Sequence, residues 1–520
     1  MGEDGAFTFP PHHFLYSFGG HLVHCLCYAS LTWFALHSSA PFVLQCGLGV
    51  VSIALLVVEI RYMYWRRRLP PGTAGFPLVG HTPYFIQDNL AFNMAQSRKM
   101  QNEPRTINVL SRPAVAFTLD EDAQWFLRQE RQGKIRAKLL PHWEQMIGTD
   151  AIMFQSGRQH QLLRKLFGPA FGPNEILNYV SIMDSVTQST LEQLSKRGLK
   201  GKFCPPREWA LLAFRIFFVC AFGEVEEDTL VGLIALFEKW ISCMAVICPV
   251  AYPGSNLSNG LKYRKELGKV IQDLIDKFRS NHPPGSKEAA TSVMGQMVYS
   301  TDEAGNYPTP KQLEDNIRFI MFAGFDTTKA SFGAVMHYLK HRPELWDLLV
   351  QEVQEFAEPL DASELKEAPL LNAVLAETWR LNAPLSSHTT VASVDLTYKG
   401  FFIPKGTQLA LSLQAYHHTD HPSFPDPLSF RFERWLPPTH PLHDPKLYNP
   451  IDYNGMSIGY RPFNVGQHMC LGAHFAKQEV RIVLTRLLQR YDVELRNETL
   501  KAFPLRQRLG EFRLTPRKVD

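Results

Sequence analysis

A cysteine in a glycine-punctuated loop, set directly before a strongly helical run, constrains this chain more than any other stretch. Residues 463–472 read Phe-Asn-Val-Gly-Gln-His-Met-Cys-Leu-Gly. The pattern beyond them predicts a helix from about Ala473 to Arg490. A thiolate at a helix N-terminus is stabilised by free backbone N–H groups and by the positive end of the helix dipole. Gly466 and Gly472 supply backbone freedom and let a flat ligand come close. His468, two residues before the sulfur, adds a cation or a hydrogen-bond donor. The same residues also describe a buried cysteine in a turn, so the rest of the chain has to decide between the two.

The eight cysteines stand at positions 25, 27, 46, 204, 220, 243, 248 and 470, with no Cys-x-x-Cys pair among them. That pattern argues against a disulfide framework and against iron–sulfur and zinc sites, and it favours a reducing compartment for the main body. A net charge of +4 over 520 residues gives no argument for nucleic acid. With 45% apolar residues the chain can bury a large core.

The first 68 residues differ in character from the rest. Phe42 to Val58 is an apolar run at the lower end of the length of a membrane span. It is followed by Tyr62, Tyr64 and Trp65 and then by Arg66, Arg67 and Arg68, the pattern of an interfacial, cytosol-facing end. Residues 14–36 carry no acid, lysine or arginine and form a possible second span. Leu69-Pro70-Pro71-Gly72 breaks the run; read alone, Pro70 to Gly80 is a linker.

Beyond this break, β-branched residues over 105–118 predict a hairpin that turns at Arg112-Pro113. His160 and Arg164, four apart, share a helix face and suit either buried carboxylates or water. A long helix is expected over about 311–341, with a second starting at Pro343. Inside the first lies Ala323-Gly-Phe-Asp326-Thr327-Thr328, poor helix interior by composition. Ala323 and Thr327 share a face, where a small side chain and a hydroxyl leave room for a bound diatomic; a kinked core helix with a back-bonding threonine fits equally. Glu377 and Arg380 are spaced to pair, and Phe430-Arg-Phe-Glu-Arg434-Trp435 supplies another arginine. Tyr398 to Leu409 reads as a strand pair turning at Pro404-Lys-Gly406.

Phe463, Gly466, Cys470 and Gly472 fill every fixed position of Phe-x-x-Gly-x-x-x-Cys-x-Gly. The loop therefore resembles the heme-binding loop of the cytochrome P450 family. Ala323–Thr328 is similar to that family's oxygen-activating helix. Glu377-x-x-Arg380 with Arg434 resembles its buried acid–base pair and the arginine that joins it. His160 and Arg164 stand where related sequences direct side chains at a heme propionate, and Pro70–Gly80 resembles the hinge after a microsomal anchor. Two departures stand out: Thr390 takes the place of an arginine that pairs with a propionate, and Phe432 the place of a proline. His388, His468, His160 or Arg164 would have to compensate for the first.

The resemblance implies a mainly α fold with a small β-rich subdomain, roughly triangular, preceded by an N-terminal membrane anchor. Residues 1–68 would be the anchor region, with a span at about 42–65, and residues 69–520 a heme-thiolate monooxygenase domain. It implies heme b (iron protoporphyrin IX) with the Cys470 thiolate as axial ligand, an arrangement that favours O–O cleavage. Phe463, Gly466, His468, Gly472, His160, Arg164 and Ala323 would surround the cofactor. Asp326 and Thr327 would be catalytic and manage protons, while Glu377, Arg380 and Arg434 would be structural. One oxygen atom of O2 would enter a lipophilic substrate: a sterol, retinoid or other isoprenoid first, a fatty acid second. Electrons would come from NADPH through NADPH–cytochrome reductase, docked near His468, Lys477 and Arg481 at the endoplasmic reticulum membrane, with the catalytic domain facing the cytosol. Two rivals are a heme-thiolate isomerase or dehydratase acting on a peroxide, which commonly lacks the acid–threonine pair, and a membrane-anchored heme-binding protein without turnover.

Overall fold

The computed structural model describes the chain apart from residues 1–17, 38–41, 43–44, 47–48, 54, 58–59, 61–67, 74, 77–78, 110–111, 139–140, 224–225, 245–250, 420–423, 448–458, 503–504 and 518–520. The chain gathers into two compact units. One comprises Met1–Arg136, Leu385–Thr419 and Ala502–Pro504; the other comprises Ala137–Pro384, Asp420–Lys501 and Leu505–Asp520. Helices predominate among the described residues, with small sheets beside them.

The first unit holds the strands β1 (Arg105–Val109), β2 (Arg112–Phe117), β3 (Ile135–Ala137, at the unit's margin), β4 (Ser387–Ala392), β5 (Leu396–Tyr398), β6 (Phe401–Ile403) and β7 (Gln408–Ser412). Five of them form a sheet in the order β1-β2-β7-β4-β3. β1 and β2 make the expected hairpin, but Arg112 and Pro113 are the first residues of β2 rather than its turn, and the connection at 110–111 lies outside the described residues. Pro113 fits there because the pairing of β2 with β7 begins only at Ala114, so its missing N–H is not needed.

The expected strand pair about Pro404-Lys-Gly406 is not formed. β6 pairs with β5, and β7 pairs with β2 and β4. The hairpin turns instead at Lys399-Gly400, whose φ values of 48° and 79° are the left-handed pair that a two-residue turn requires. The stretch after Pro70 is likewise more than a linker. The Thr106 N–H donates to the Pro71 carbonyl at 2.9 Å, and its hydroxyl donates to the Pro70 carbonyl at 2.7 Å. A Cβ on Gly72 would stand 1.9 Å from the Thr106 carbonyl oxygen, so only glycine lets the chain lie this close to β1.

At the N-terminus, Phe18–His37 is helical and leaves Leu26, Leu31, Trp33 and Phe34 exposed. No helix among the described residues is long and apolar enough to cross a membrane. Much of the span expected at 42–65, and residues 14–17 of the second, lie outside the described residues.

The second unit is built around the helix Pro310–Lys340. Its start is written locally: Thr309 and Gln312 form a reciprocal capping box, and Pro310 occupies the first turn. Trp209, from the helix Arg207–Phe222, stacks on Phe512 at 4.1 Å and meets Phe332 of the long helix at 5.4 Å. Phe512 lies on β9 (Gln507–Pro516), which pairs antiparallel with β8 (Tyr491–Lys501).

The helix Pro369–Leu381 is buried along most of its length and carries a buried, charged polar cluster. Glu377 and Arg380 are fully buried and bidentate at 2.8 Å on each arm. Arg434 joins at 3.2 Å, the Trp435 indole donates to the same carboxylate at 2.9 Å, and the Arg431 N–H donates at 2.8 Å. Burial alone would raise the Glu377 carboxyl, but Arg380, Arg434 and the Arg431 N–H outweigh it and hold it below its ordinary value. Replacing Arg380 with Ala leaves this charge buried without its main partner. Chemical denaturation should show a loss of about 3–5 kcal/mol; a change below about 1 kcal/mol would contradict a buried, paired carboxylate.

Candidate functional site

The cysteine loop is closed by its own backbone. The Cys470 N–H donates to the Phe463 carbonyl at 2.8 Å, and the Asn464 side-chain amide donates to the His468 carbonyl at 3.0 Å. Gly466 turns the chain at φ 74°, a left-handed value that favours glycine. The helix Ala473–Arg490 starts at Gly472, and the Gly472 N–H points back to the Cys470 sulfur. Burial pushes the Cys470 thiol up, while that N–H, Arg164 and Lys477 pull it down. The side chain is nonetheless exposed by area. Dense surroundings together with accessibility are what a residue lining a recess shows.

The helix Gly157–Phe167 brings His160 and Arg164 to this loop. Arg164 donates to the Met469 carbonyl at 2.6 Å and to the Gln467 carbonyl at 3.4 Å. The His160 and His468 rings lie 4.2 Å apart, centre to centre. His160 is buried, its Nδ1 has no hydrogen-bond partner, and burial with the Arg164 charge lowers its pKa to about 4. At neutral pH it is therefore an uncharged ring with polar capacity to spare. Phe463 meets the Trp379 ring edge-on at 5.2 Å. Cys470, His468, Phe463, Gly466, Gly472, His160 and Arg164 thus belong to one neighbourhood.

Ala323, Asp326 and Thr327 lie on the long helix, which continues through them. The Thr327 hydroxyl donates to the Ala323 carbonyl at 2.6 Å, which is the back-bonding arrangement. Asp326 pairs with Lys329. The Ser331 hydroxyl donates to the Thr327 carbonyl at 3.2 Å and accepts from the Trp379 indole at 3.1 Å. This helix meets the one behind the cysteine loop through Thr328, whose hydroxyl bonds Glu479.

Glu479 escaped the sequence reading. It is buried on the helix Ala473–Arg490, one carboxylate oxygen lacks a partner, and burial raises its pKa far above the ordinary value, against the weaker pull of Thr328. Its signal in the sequence was that it is the single acid between Ala473 and Arg490. Lys477 also differs from expectation. It is 4% exposed with its ammonium 5.2 Å from the centre of the Phe463 ring, so it braces the loop and offers no docking surface. Arg481 is half-buried and donates to Asn372 at 2.6 Å. In the other unit, Thr390 is buried with an unpaired hydroxyl, and His388 lies 3.5 Å from the Glu130 carboxylate, so that ring already has an acidic neighbour.

These residues fit a heme. The thiol is accessible and has an N–H beside it, and a Cβ on Gly472 or Gly324 would meet nothing within 4 Å. The unpartnered His160 Nδ1 and the Arg164 guanidinium suit anionic carboxylates at the rim of such a group.

The sequence profile described as Cytochrome P450 matches residues 70–519. Abscisic acid 8'-hydroxylase 2 of Arabidopsis thaliana is 26% identical over 471 residues, covering 88% of this chain and 92% of the relative. Putative cytochrome P450 120 of Synechocystis is 26% identical over 427 residues, 82% of this chain and 90% of its own. Among solved structures, retinoic acid-bound cyanobacterial CYP120A1 superposes with a TM-score of 0.73 at 24% identity, covering 86% of this chain and 99% of that one. The chain belongs to the cytochrome P450 family. It is a P450 monooxygenase, and heme is the cofactor that membership implies.

Two measurements check this geometry. His160→Phe keeps the ring contact with His468 and removes the nitrogen; transfer of heme to apomyoglobin should quicken about tenfold, and an unchanged rate would remove His160 from cofactor holding. Glu479 binds a proton in the folded chain that the unfolded chain releases. Its contribution is therefore full below the ordinary carboxyl value and declines as pH rises toward the raised folded value. Between about pH 5 and about pH 8, Glu479→Gln should lose less stability than the parent; parallel curves would contradict a protonated Glu479.

Proposed function

We propose that this P450 hydroxylates a membrane-soluble isoprenoid, a sterol, retinoid or related lipid, with electrons from NADPH through NADPH–cytochrome reductase. The observation that carries the substrate class is an uncharged aromatic wall adjoining Ala323. Phe322 and Trp143, both half-buried, meet edge-on at 5.6 Å, backed by the buried Trp240 at 6.0 Å. Such a surface suits lipophilic ligands. Abscisic acid, the substrate for which the relative is named, and retinoic acid, bound in the solved neighbour, are both isoprenoid acids.

Residues 1–68 serve as the membrane-anchor region and residues 69–520 as the monooxygenase domain, placed at the endoplasmic reticulum membrane and facing the cytosol. Exposed Leu26, Trp33, Phe34, Val50 and Ile53 support contact with lipid.

Bound heme supplies the chemistry that activates O2. Cys470 would hold the cofactor as a thiolate, the Gly472 N–H and Arg164 favouring the anion against the burial that raises the thiol's pKa. His160, His468 and Arg164 hold its carboxylates. Ala323 keeps space open on the long helix. Thr327 holds a proton at its hydroxyl, now directed to the Ala323 carbonyl, and Asp326, partly exposed, exchanges protons with solvent.

The full-length holoprotein in lipid nanodiscs, titrated with a panel of lipids, tests the proposal. Isoprenoids should shift the heme absorption and yield hydroxylated product only with NADPH, reductase and O2. Turnover of fatty acids alone, or of small polar compounds alone, would contradict the substrate class. Conversion of a lipid peroxide without NADPH would contradict the reaction.

A further inference from the structure

Near the C-terminal end of the long helix, Gly333, His337 and His341 are spaced four apart and share a face. A Cβ on Gly333 would stand 2.0 Å from the Arg508 carbonyl, so this glycine lets the helix lie against β9. One turn later the same face reaches Glu498, on β8. That carboxylate is held out by a β-bulge: the register shifts between Arg496 and Thr499, and Asn497 has a left-handed φ of 53°. Opposite it stands Gly510, where a Cβ would come within 3.1 Å of the Glu498 side chain. Two glycines and a bulge therefore converge on one side-chain cluster.

His337 Nδ1 lies 3.1 Å from one Glu498 oxygen, and His341 Nε2 lies 3.9 Å from the other. One ligand atom from each of the three residues falls within 4.8 Å of the rest. We propose that His337, His341 and Glu498 form a binding site for a zinc-like divalent ion, separate from the cysteine site. Two imidazoles and one carboxylate, with water completing the shell, are the ligand chemistry such an ion takes. The cysteine spacing argued against zinc, but this cluster uses no cysteine. His341 is 55% exposed and opens the cluster to solvent. The bound ion pins the end of the oxygen-activating helix to the β8–β9 hairpin.

Two cations oppose it. Lys340 pairs with Glu498 at 3.1 Å and has to swing away, which its partial exposure permits. Arg508 faces His337 from β9. Magnesium, which prefers oxygen ligands and keeps its water, is not expected to bind.

The test titrates untagged full-length holoprotein with zinc chloride by calorimetry and follows thermal unfolding in parallel, with magnesium chloride as control. A saturable one-to-one site should appear and should raise the unfolding temperature. It should weaken at least about tenfold in His341→Ala, whose exposed side chain is safe to remove. Lys340→Ala should bind more tightly, because Glu498 then loses its competing cation. Equal zinc binding by His341→Ala and the parent, or no one-to-one site in either the parent or Lys340→Ala, would overturn the proposal and leave the cluster an ion-pair network.

Discussion

The buried carboxylate of Glu377 is the point on which the rest of the site depends. A lone carboxylate at that depth costs several kcal/mol, and only complete pairing makes it tolerable. Arg380, Arg434, the Trp435 indole and the Arg431 N–H supply that pairing. Arg380 also donates to the carbonyls of Pro427 and Ser429, and Arg434 to those of Pro425 and Asp426. A segment without long regular structure is thus fixed by charge-assisted bonds that water cannot replace.

From this hub, two routes lead to the chemistry. Trp435 packs against Tyr460 at 5.2 Å, the Tyr460 hydroxyl donates to the Ala376 carbonyl at 2.9 Å, and Trp379 meets Phe463, so the entry to the cysteine loop rests on the Glu377 helix. Trp379 also donates to Ser331, which donates to the Thr327 carbonyl on the long helix. Arg164 ties the loop's carbonyls from another side. The cysteine and the threonine are therefore positioned from one buried helix, although neither touches Glu377 itself.

Much of this was legible in the sequence because it is written locally. The Phe463–Gly472 spacing, the long helix expected over about 311–341 and the three-residue step from Glu377 to Arg380 each need only a few neighbours to be read. The errors came where distant residues decide. Pro404-Lys-Gly406 is a good turn, but whether its flanking strands pair depends on β2 and β4. Pro70–Gly80 looks like a linker until Thr106 offers it hydrogen bonds. Lys477 looks like a surface charge until Phe463 covers it. Glu479 was passed over because a single glutamate on a helix is ordinary, and only packing reveals that it is buried.

The central claim is that Cys470, held at the head of Ala473–Arg490, is a thiolate ligand to heme iron. The most direct measurement is the absorption spectrum of the reduced, carbon monoxide-bound protein. The account predicts the strongly red-shifted Soret band that marks thiolate ligation, and its loss in Cys470→Ala while the far-ultraviolet circular dichroism is retained. A band at the shorter wavelength of imidazole-ligated heme in the parent, or a red-shifted band that survives in Cys470→Ala, would contradict it.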